Sequence, residues 1–280
     1  MILGAIVTYN PDIERLMENI ASVINQVDKL LIFDNHSRNV LEIETKLGMN
    51  ILIYKSDQNI GMSGALNYIL NYASMNNYEW FLTLDQDSII VKNCINQYCE
   101  FIKKNNEYNN LAILTCKIKD RNHSHQDIMC KGFLEVNECI TSGAFYKTSI
   151  LKSVGGFDNQ LFIDLVDNDI CYNLINNGYK IVKLNYEGLL HEIGVSTDKK
   201  ILTRKIMVAN EKVFRLYYMS RNSIYEFRKY KKFKFLKLYF INLGKAILFE
   251  SNKLLRIKAC ILGVKDAFSN HMGKSERKWN

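Results

Sequence analysis

Proline is nearly missing from this sequence: Pro11 is the only one among 280 residues. No stretch is rich in Pro, Gly or Ser, so no flexible linker divides the chain, and no internal repeat is evident. The seven cysteines form no CxxC pair and their number is odd, so reduced core thiols of a cytosolic protein are expected. No apolar run reaches the roughly 18 residues of a membrane-spanning helix. The nearest candidate, Phe235–Phe249, is interrupted by Lys237 and Lys245. The start, MILGAIVTYNPD, lacks the basic segment and cleavage site of a secretory signal and reads as a buried first strand.

What is present is ordinary in bulk and uneven in detail. Hydrophobic residues make up 48% and charged residues 24%, which excludes a disordered or collagen-like chain. The length suits one large domain, or one domain with an extension. Aromatics are plentiful, with 16 Tyr and 14 Phe. The net charge is +8, yet residues 204–240 alone carry 11 Lys/Arg against 2 acids, leaving the rest of the chain near neutral. Such a stretch suggests an acidic partner, a nucleic acid or an anionic membrane.

The apolar runs 2–8, 29–33, 51–54 and 80–84 have strand length. Asn10 can cap a helix running to about residue 25, with Pro11 at its first position. Helical spacing recurs at Ala65, Leu66, Ile69, Leu70 and Ala73. This β-α-β-β-α-β order predicts an α/β fold, Rossmann-like, with a mostly parallel sheet and helices on both faces. The four strands end in Thr8-Tyr9-Asn10, Asp34-Asn35, Ser56-Asp57 and Asp85-Gln86-Asp87, so polar groups should converge at one edge, where such sheets bind ligands. A helix over 93–104, a strand over 111–116, strands within 128–146, a Gly155-Gly156 turn, a helix over 167–176 and a strand over 180–184 follow. From about residue 200 two or three long helices are expected. Leu254, Ile257, Ile261, Val264 and Phe268 form one apolar stripe there, read as the face that packs. The domains predicted are 1–198, a catalytic body, and 199–280, a basic, aromatic-rich helical extension.

Several groupings carry chemistry. Asp85 and Asp87 can both reach one divalent cation when the chain turns after its strand, and Mg²⁺ or Mn²⁺ favours such oxygen ligands; a plain surface turn looks the same. Asp164, Asp167 and Asp169 stand just before or within a helix start. They fit either helix capping or a carboxylate general base in a partly apolar site. His191 reads either as a structural histidine or as a metal ligand. The loop Asn59-Ile60-Gly61-Met62-Ser63-Gly64 opens a helix and lets backbone approach a phosphate or sugar, as a plain helix-start loop also would. The loop 120–127, DRNHSHQD, holds His123 and His125 and reads as solvated.

Taken in order, these pieces resemble the inverting family 2 glycosyltransferases with a GT-A fold, and within them the rhamnosyltransferase branch. The matching segments include VTYNP at 7–11, DNHS at 34–37, NIGMSGALN at 59–67, LTLDQDS at 82–88, TSGAFY at 141–146, GGFD at 155–158 and FIDLVDNDICYN at 162–173. RLYYMSRNSIYEFRKY at 215–230 and ILGVKDAFSNHMGK at 261–274 extend the match into the tail. The resemblance implies that Thr8, Tyr9, Asn59 and Gly61 line the donor pocket, and that Asp34 accepts from the pyrimidine base. Asp85 would face the ribose or the metal. Asp87 and His191 would hold Mg²⁺ or Mn²⁺ with it, Asp167 would be the catalytic base, and Arg221 and Asn222 would reach the diphosphate or acceptor. Ser142, Gly143, Asp164 and Asp169 would lie on the acceptor side. Two positions depart from the pattern: Asn173 stands where the family often has Arg, and Asp169 where the branch often has Glu.

The implied reaction is a single displacement at the anomeric carbon of a dTDP- or UDP-sugar, L-rhamnose first, a hexose or galactofuranose second. The implied acceptor is a glycan or polyprenyl-linked hydroxyl of a bacterial cell-surface polysaccharide. The basic stretch 204–240 interleaves ten Phe/Tyr with its cations. It reads as a solvated face or as a peripheral contact with the inner face of the cell membrane. No nucleic-acid motif is present. A homo-oligomer is compatible with the sequence. Two rivals remain. A nucleotidyltransferase would need a GxGxR-type loop after the first strand, where TYNP stands. A catalytically silent subunit of a transferase complex would not need Asp34, Asp87, Asp167 and His191 intact.

Overall fold

The computed structural model describes residues 1–48, 51–105, 109–120, 132–191, 197–201, 204–208, 212–249 and 251–279. The histidine loop, His123 and His125 included, lies outside them. Contacts divide the chain into two compact units, Met1–Asp158 with Asp167–Ile193, and Asn159–Val166 with Gly194–Asn280.

The first unit is built on a sheet of nine strands among the described residues, flanked by helices. Strands β1 (Ile2–Thr8), β2 (Lys29–Asp34), β3 (Ile51–Lys55) and β4 (Trp80–Asp85) lie in the order β3-β2-β1-β4, all parallel. Helices α1 (Ile13–Val23), α2 (Val40–Lys46) and α3 (Gly61–Met75) make the crossovers that parallel pairing requires. The short helix α2 was not expected from the sequence; its seven residues offer too little periodicity to read.

The second half of the sheet is mixed. Strand β8 (Ala144–Lys147) runs antiparallel to both β4 and β6 (Leu111–Asp120), and β6 runs parallel to β9 (Lys180–His191). The two-residue β5 (Ile89–Ile90) and β7 (Phe133–Glu135) pair antiparallel with β9. Strand β9 continues seven residues past the expected end at Leu184, which places His191 on a strand. Helices α4 (Cys94–Lys104), α5 (Thr148–Ser153) and α6 (Val166–Asn176) complete the layer. Apolar side chains such as Ile6, Ile32, Leu82, Phe145 and Val182 are buried between sheet and helices, with the Trp80 and Phe145 rings stacked at 5.0 Å.

The start of α1 corrects one expectation. Asp12, not Asn10, caps it: its carboxylate accepts from the Arg15 amide at 3.1 Å. Asn10 has φ 47° and is spent elsewhere, its Oδ1 accepting from the Arg38 amide at 2.8 Å. Its side chain therefore ties the end of β1 to the loop after β2.

The second unit holds a strand pair, β10 (Thr197–Ile201) with β11 (Arg204–Val208), and helices α7 (Val213–Tyr230), α8 (Phe233–Leu248) and α9 (Lys253–Phe268). The apolar stripe of α9 points the other way from the sequence reading. Leu254 is 86% exposed, Ile261 58% and Phe268 65%. The buried side is Ala259, Cys260, Gly263 and Ala267, together with Arg256 and Asp266. Small residues win here because α7 comes very close: a Cβ on Gly263 would stand 2.6 Å from the Tyr217 carbonyl oxygen. Asp266 is buried yet satisfied, accepting from the Tyr217 hydroxyl at 2.6 Å and from Arg277. Burial alone would raise its carboxyl; Tyr217 and Arg277 hold it below the usual range.

Candidate active site

Thr8 and Asp34 end β1 and β2 as partners in register. The Thr8 hydroxyl donates to Asp34 Oδ1 at 2.9 Å, and the Ser37 amide donates to Oδ2 at 2.8 Å. Asp34 is 1% exposed, so its charge needs these partners, and each oxygen keeps a further lone pair. Tyr9 is half-exposed, and its amide donates to Gln86 Oε1 at 2.8 Å, tying the end of β1 to the turn after β4.

Asn35 organises the next loop, a role the sequence reading missed. Its Nδ2 donates to the Gly61 carbonyl at 3.1 Å and its Oδ1 accepts from the Ile60 amide at 2.8 Å. Asn59 Oδ1 accepts from the Gly61 amide at 2.9 Å, and Gly61 has φ 79°, a conformation that suits glycine. The available signal was a two-residue polar step, Asp34-Asn35, directly after an apolar strand. Asn59 and Gly61 thus stand at the same edge as Thr8 and Asp34.

The Asp85–Asp87 turn is held from three sides. Asn19 Nδ2 donates to the Asp85 carbonyl at 2.6 Å. The Asp85 amide donates to Ser142 Oγ at 3.0 Å, Ser142 Oγ donates to Ser88 Oγ at 2.7 Å, and Ser88 Oγ lies 2.8 Å from His191 Nδ1. The register explains the last contact: Ile89 of β5 faces Leu190 of β9, so their neighbours Ser88 and His191 meet. Ser142, expected on the acceptor side, is buried and spends its hydroxyl here. Gly143 is buried too, with φ 76°, its carbonyl accepting from Tyr98 at 2.8 Å.

Burial disfavours the charged form of Asp85 and Asp87 adds repulsion, while His191 opposes both; the net result is a carboxyl raised above its ordinary range. Among the described residues no group of three or more His, Cys, Asp or Glu stands in metal-binding geometry. The chemistry of the donors nevertheless fits a divalent cation. Two carboxylates stand in one turn, the imidazole at the end of β9 meets Ser88 of that turn, and the unfavourable charge on Asp85 is what a bound cation would offset.

Asp167 and Asp169 sit in the first turn of α6, where acids favour the positive helix end. Asp167 Oδ1 accepts from the Asn168 amide at 2.9 Å. Asp167 and Asn168 line a cavity of about 270 Å³ with Glu138, Cys139 and Lys183. Asp169 is buried. Asn173 donates to the Val154 carbonyl at 3.1 Å, fastening α6 to the end of α5.

In the second unit, Asp164 and Leu165 have φ 66° and 62°, two consecutive left-handed residues without glycine. The Asp164 carboxylate meets Arg215 Nη2 at 2.6 Å, while its Oδ2 is buried with no hydrogen bond. Burial raises the Asp164 carboxyl, and Arg215 only partly opposes this. Asn222 is fully buried and donates to the carbonyls of Ile163 and Asp164 at 2.7 and 2.9 Å. Arg221 is 1% exposed, its guanidinium 4.8 Å from the Tyr218 ring centre and 5.5 Å from that of Tyr217. These side chains hold their own unit together.

The model of glycosyl transferase family 2 matches residues 5–157. The dTDP-rhamnosyl transferase RfbF of Shigella flexneri is 27% identical over 247 residues, covering 81% of this chain and 80% of that protein. Among solved structures, S. aureus TarS 1–349 in complex with UDP-GlcNAc superposes with a TM-score of 0.62 at 16% identity, over 95% of this chain and 81% of that one. A longer TarS structure gives a TM-score of 0.55 at 17% identity over 93% of this chain, which spans 42% of its length. GalNAc-T7 with UDP, GalNAc and Mn²⁺ gives a TM-score of 0.55 at 13% identity, over 69% of this chain and 44% of that one. The shared fold is GT-A.

Proposed function

The chain belongs to glycosyl transferase family 2, and from that premise we propose that it moves L-rhamnose from dTDP-β-L-rhamnose, with inversion, onto a hydroxyl of a lipid-linked or polysaccharide acceptor. The choice of donor follows the similarity to a dTDP-rhamnosyl transferase. Asp34, with a lone pair left on each oxygen, accepts from the pyrimidine N3–H. Thr8 fixes that carboxylate, Tyr9 offers an exposed ring to the nucleotide, and Asn59 and Gly61 lie along the sugar phosphate.

Asp87 with Asp85 and His191 would hold Mg²⁺ or Mn²⁺, a cation of the kind present in the GalNAc-T7 structure. A divalent cation there supplies positive charge for a leaving diphosphate. Ser142 and Ser88 hold the turn and the imidazole in place for this. Asp167, at the rim of its cavity, takes the proton from the acceptor hydroxyl as that oxygen attacks. Ser142 and Gly143 brace the site from below, and Asp164 and Asp169 frame the chain segment that presents Asp167. The work takes place on the cytoplasmic face of a bacterial membrane.

The observation that carries this reading is the chain of hydrogen bonds from Asp85 through Ser142 and Ser88 to His191, at the sheet edge that also holds Asp34. The test is Asp167→Asn. General-base assistance contributes about 10²–10⁴-fold, so turnover should fall by that factor while donor binding stays. Full activity in this variant removes Asp167 from the role.

A further inference from the structure

We infer that helices α8 and α9 present an apolar, lysine-rimmed face that lies on an anionic lipid surface. This moves the lipid contact from the basic stretch 204–240 to residues 233–268. It does not depend on the transferase reading, because its test reads binding rather than turnover.

At about 100° per residue, the two sides of each helix can be assigned. On α8, Phe235, Asn242 and Ala246 are buried. Phe233, Phe240 and Leu248 fall on the opposite side and are exposed. On α9, Leu254, Ile261 and Phe268 recur every seven residues on the exposed side. The buried sides close on α7, where Ala246 and Cys260 pack with Leu216. Single exposed apolar residues are common on soluble proteins. Six large ones on the outer sides of two successive helices that both pack on α7 and on each other exceed scattered exposure and call for a cover.

Charge identifies the cover. Residues 229–265 hold ten Lys/Arg and one acid, Glu250. Lys237, Lys258 and Lys265 are exposed on the same turns as the apolar side chains. Their alkyl stems extend the apolar surface while the ammonium groups reach outward. A second copy of the chain would bring the same cations face to face, and repulsion would oppose that pairing. A nucleic acid would meet the cations but leave Leu248, Leu254 and Ile261 uncovered. An interface of anionic headgroups over acyl chains satisfies both features. The aromatics of the preceding helix are used differently: Tyr217 and Tyr218 of α7 are buried in their own unit.

The test is sedimentation with vesicles of phosphatidylcholine and phosphatidylglycerol in equal parts, against phosphatidylcholine alone, at low salt. The wild-type chain should pellet with the mixed vesicles and far less with the neutral ones. The variant Phe240→Ser/Leu254→Ser/Ile261→Ser changes only exposed side chains, and circular dichroism checks its fold. Its partitioning should fall by about tenfold or more. Lys237→Glu/Lys258→Glu should lose on the order of fivefold per lysine. Failure of the wild type to pellet overturns the proposal, as does undiminished pelleting of the triple serine variant. A dimer that this variant dissociates, without vesicle binding by the wild type, assigns the face to self-association instead.

Discussion

Ser88 Oγ lies 2.8 Å from Nδ1 of His191, a contact that joins positions 103 residues apart. It forms because the two-residue strand β5 pairs with the end of β9. The hydroxyl occupies one imidazole nitrogen and leaves Nε2 for a ligand. Metal binding through Nε2 requires the proton on Nδ1, donated to Ser88. Under the metal role proposed for His191, Ser88 would be its positioning residue, with Ser142 donating to Ser88 in turn.

Removing that hydroxyl should weaken the metal rather than the chemistry. Ser88→Ala should raise the Mn²⁺ concentration for half-maximal donor turnover by about 10–100-fold, the usual effect of losing such a supporting bond. The rate at saturating metal should stay close to that of the wild type, and Ser88→Thr should restore the metal response. An unchanged metal titration would remove Ser88 from this role.

Asp164 gives a pH-dependent stability with a definite sign. Burial raises its carboxyl in the folded state despite Arg215. Its contribution to stability is therefore greatest below the ordinary carboxylate range and is lost as pH rises through the raised folded value. Asp164→Asn mimics the protonated form and also suits the left-handed φ. At neutral pH it should raise Tm by about 2–4 °C, the shift expected from ~1 kcal/mol. The gain should vanish in acid, as scanning fluorimetry across pH would show. A lower Tm at neutral pH would mean that the Arg215 pair outweighs the burial.

Asn222 should act on stability through the same loop. Asn222→Ala leaves the carbonyls of Ile163 and Asp164 without their donor. The expected loss is about 1–3 kcal/mol, the cost of a buried polar group left unsatisfied. Urea unfolding would measure it. A loss well under that range would mean that water replaces the amide.

The legible parts of the sequence were those where an apolar strand ends in a polar residue. Thr8, Asp34 and Asp85 sit at strand ends, and apolar runs with polar stops mark such places from residue types alone. Asp87 follows in the turn after β4. Residues whose role depends on a distant partner were illegible. Nothing near Ser88 or Ser142 in sequence indicates His191, because the pairing of β5 with β9 is a tertiary fact. The partners of Asn35 were hidden for the same reason, being Ile60 and Gly61 at the start of α3.

The stripe on α9 shows a different limit. Periodicity correctly found two sides of a helix, but it cannot say which side is covered. Gly263 lets the backbone of α7 approach so closely that the small-residue side is buried and the large apolar side is left outside. Helix α2 was missed because seven residues do not establish a period.

Calorimetric titration of the intact chain with dTDP-rhamnose and UDP-sugars, with and without Mn²⁺, tests the central claim most directly, because it needs no acceptor. The account predicts saturable binding of dTDP-rhamnose that requires the metal and is lost in Asp87→Asn. Binding of UDP-sugars alone would keep the site and change the sugar. No binding of any nucleotide-sugar in the presence of Mn²⁺ would contradict the account.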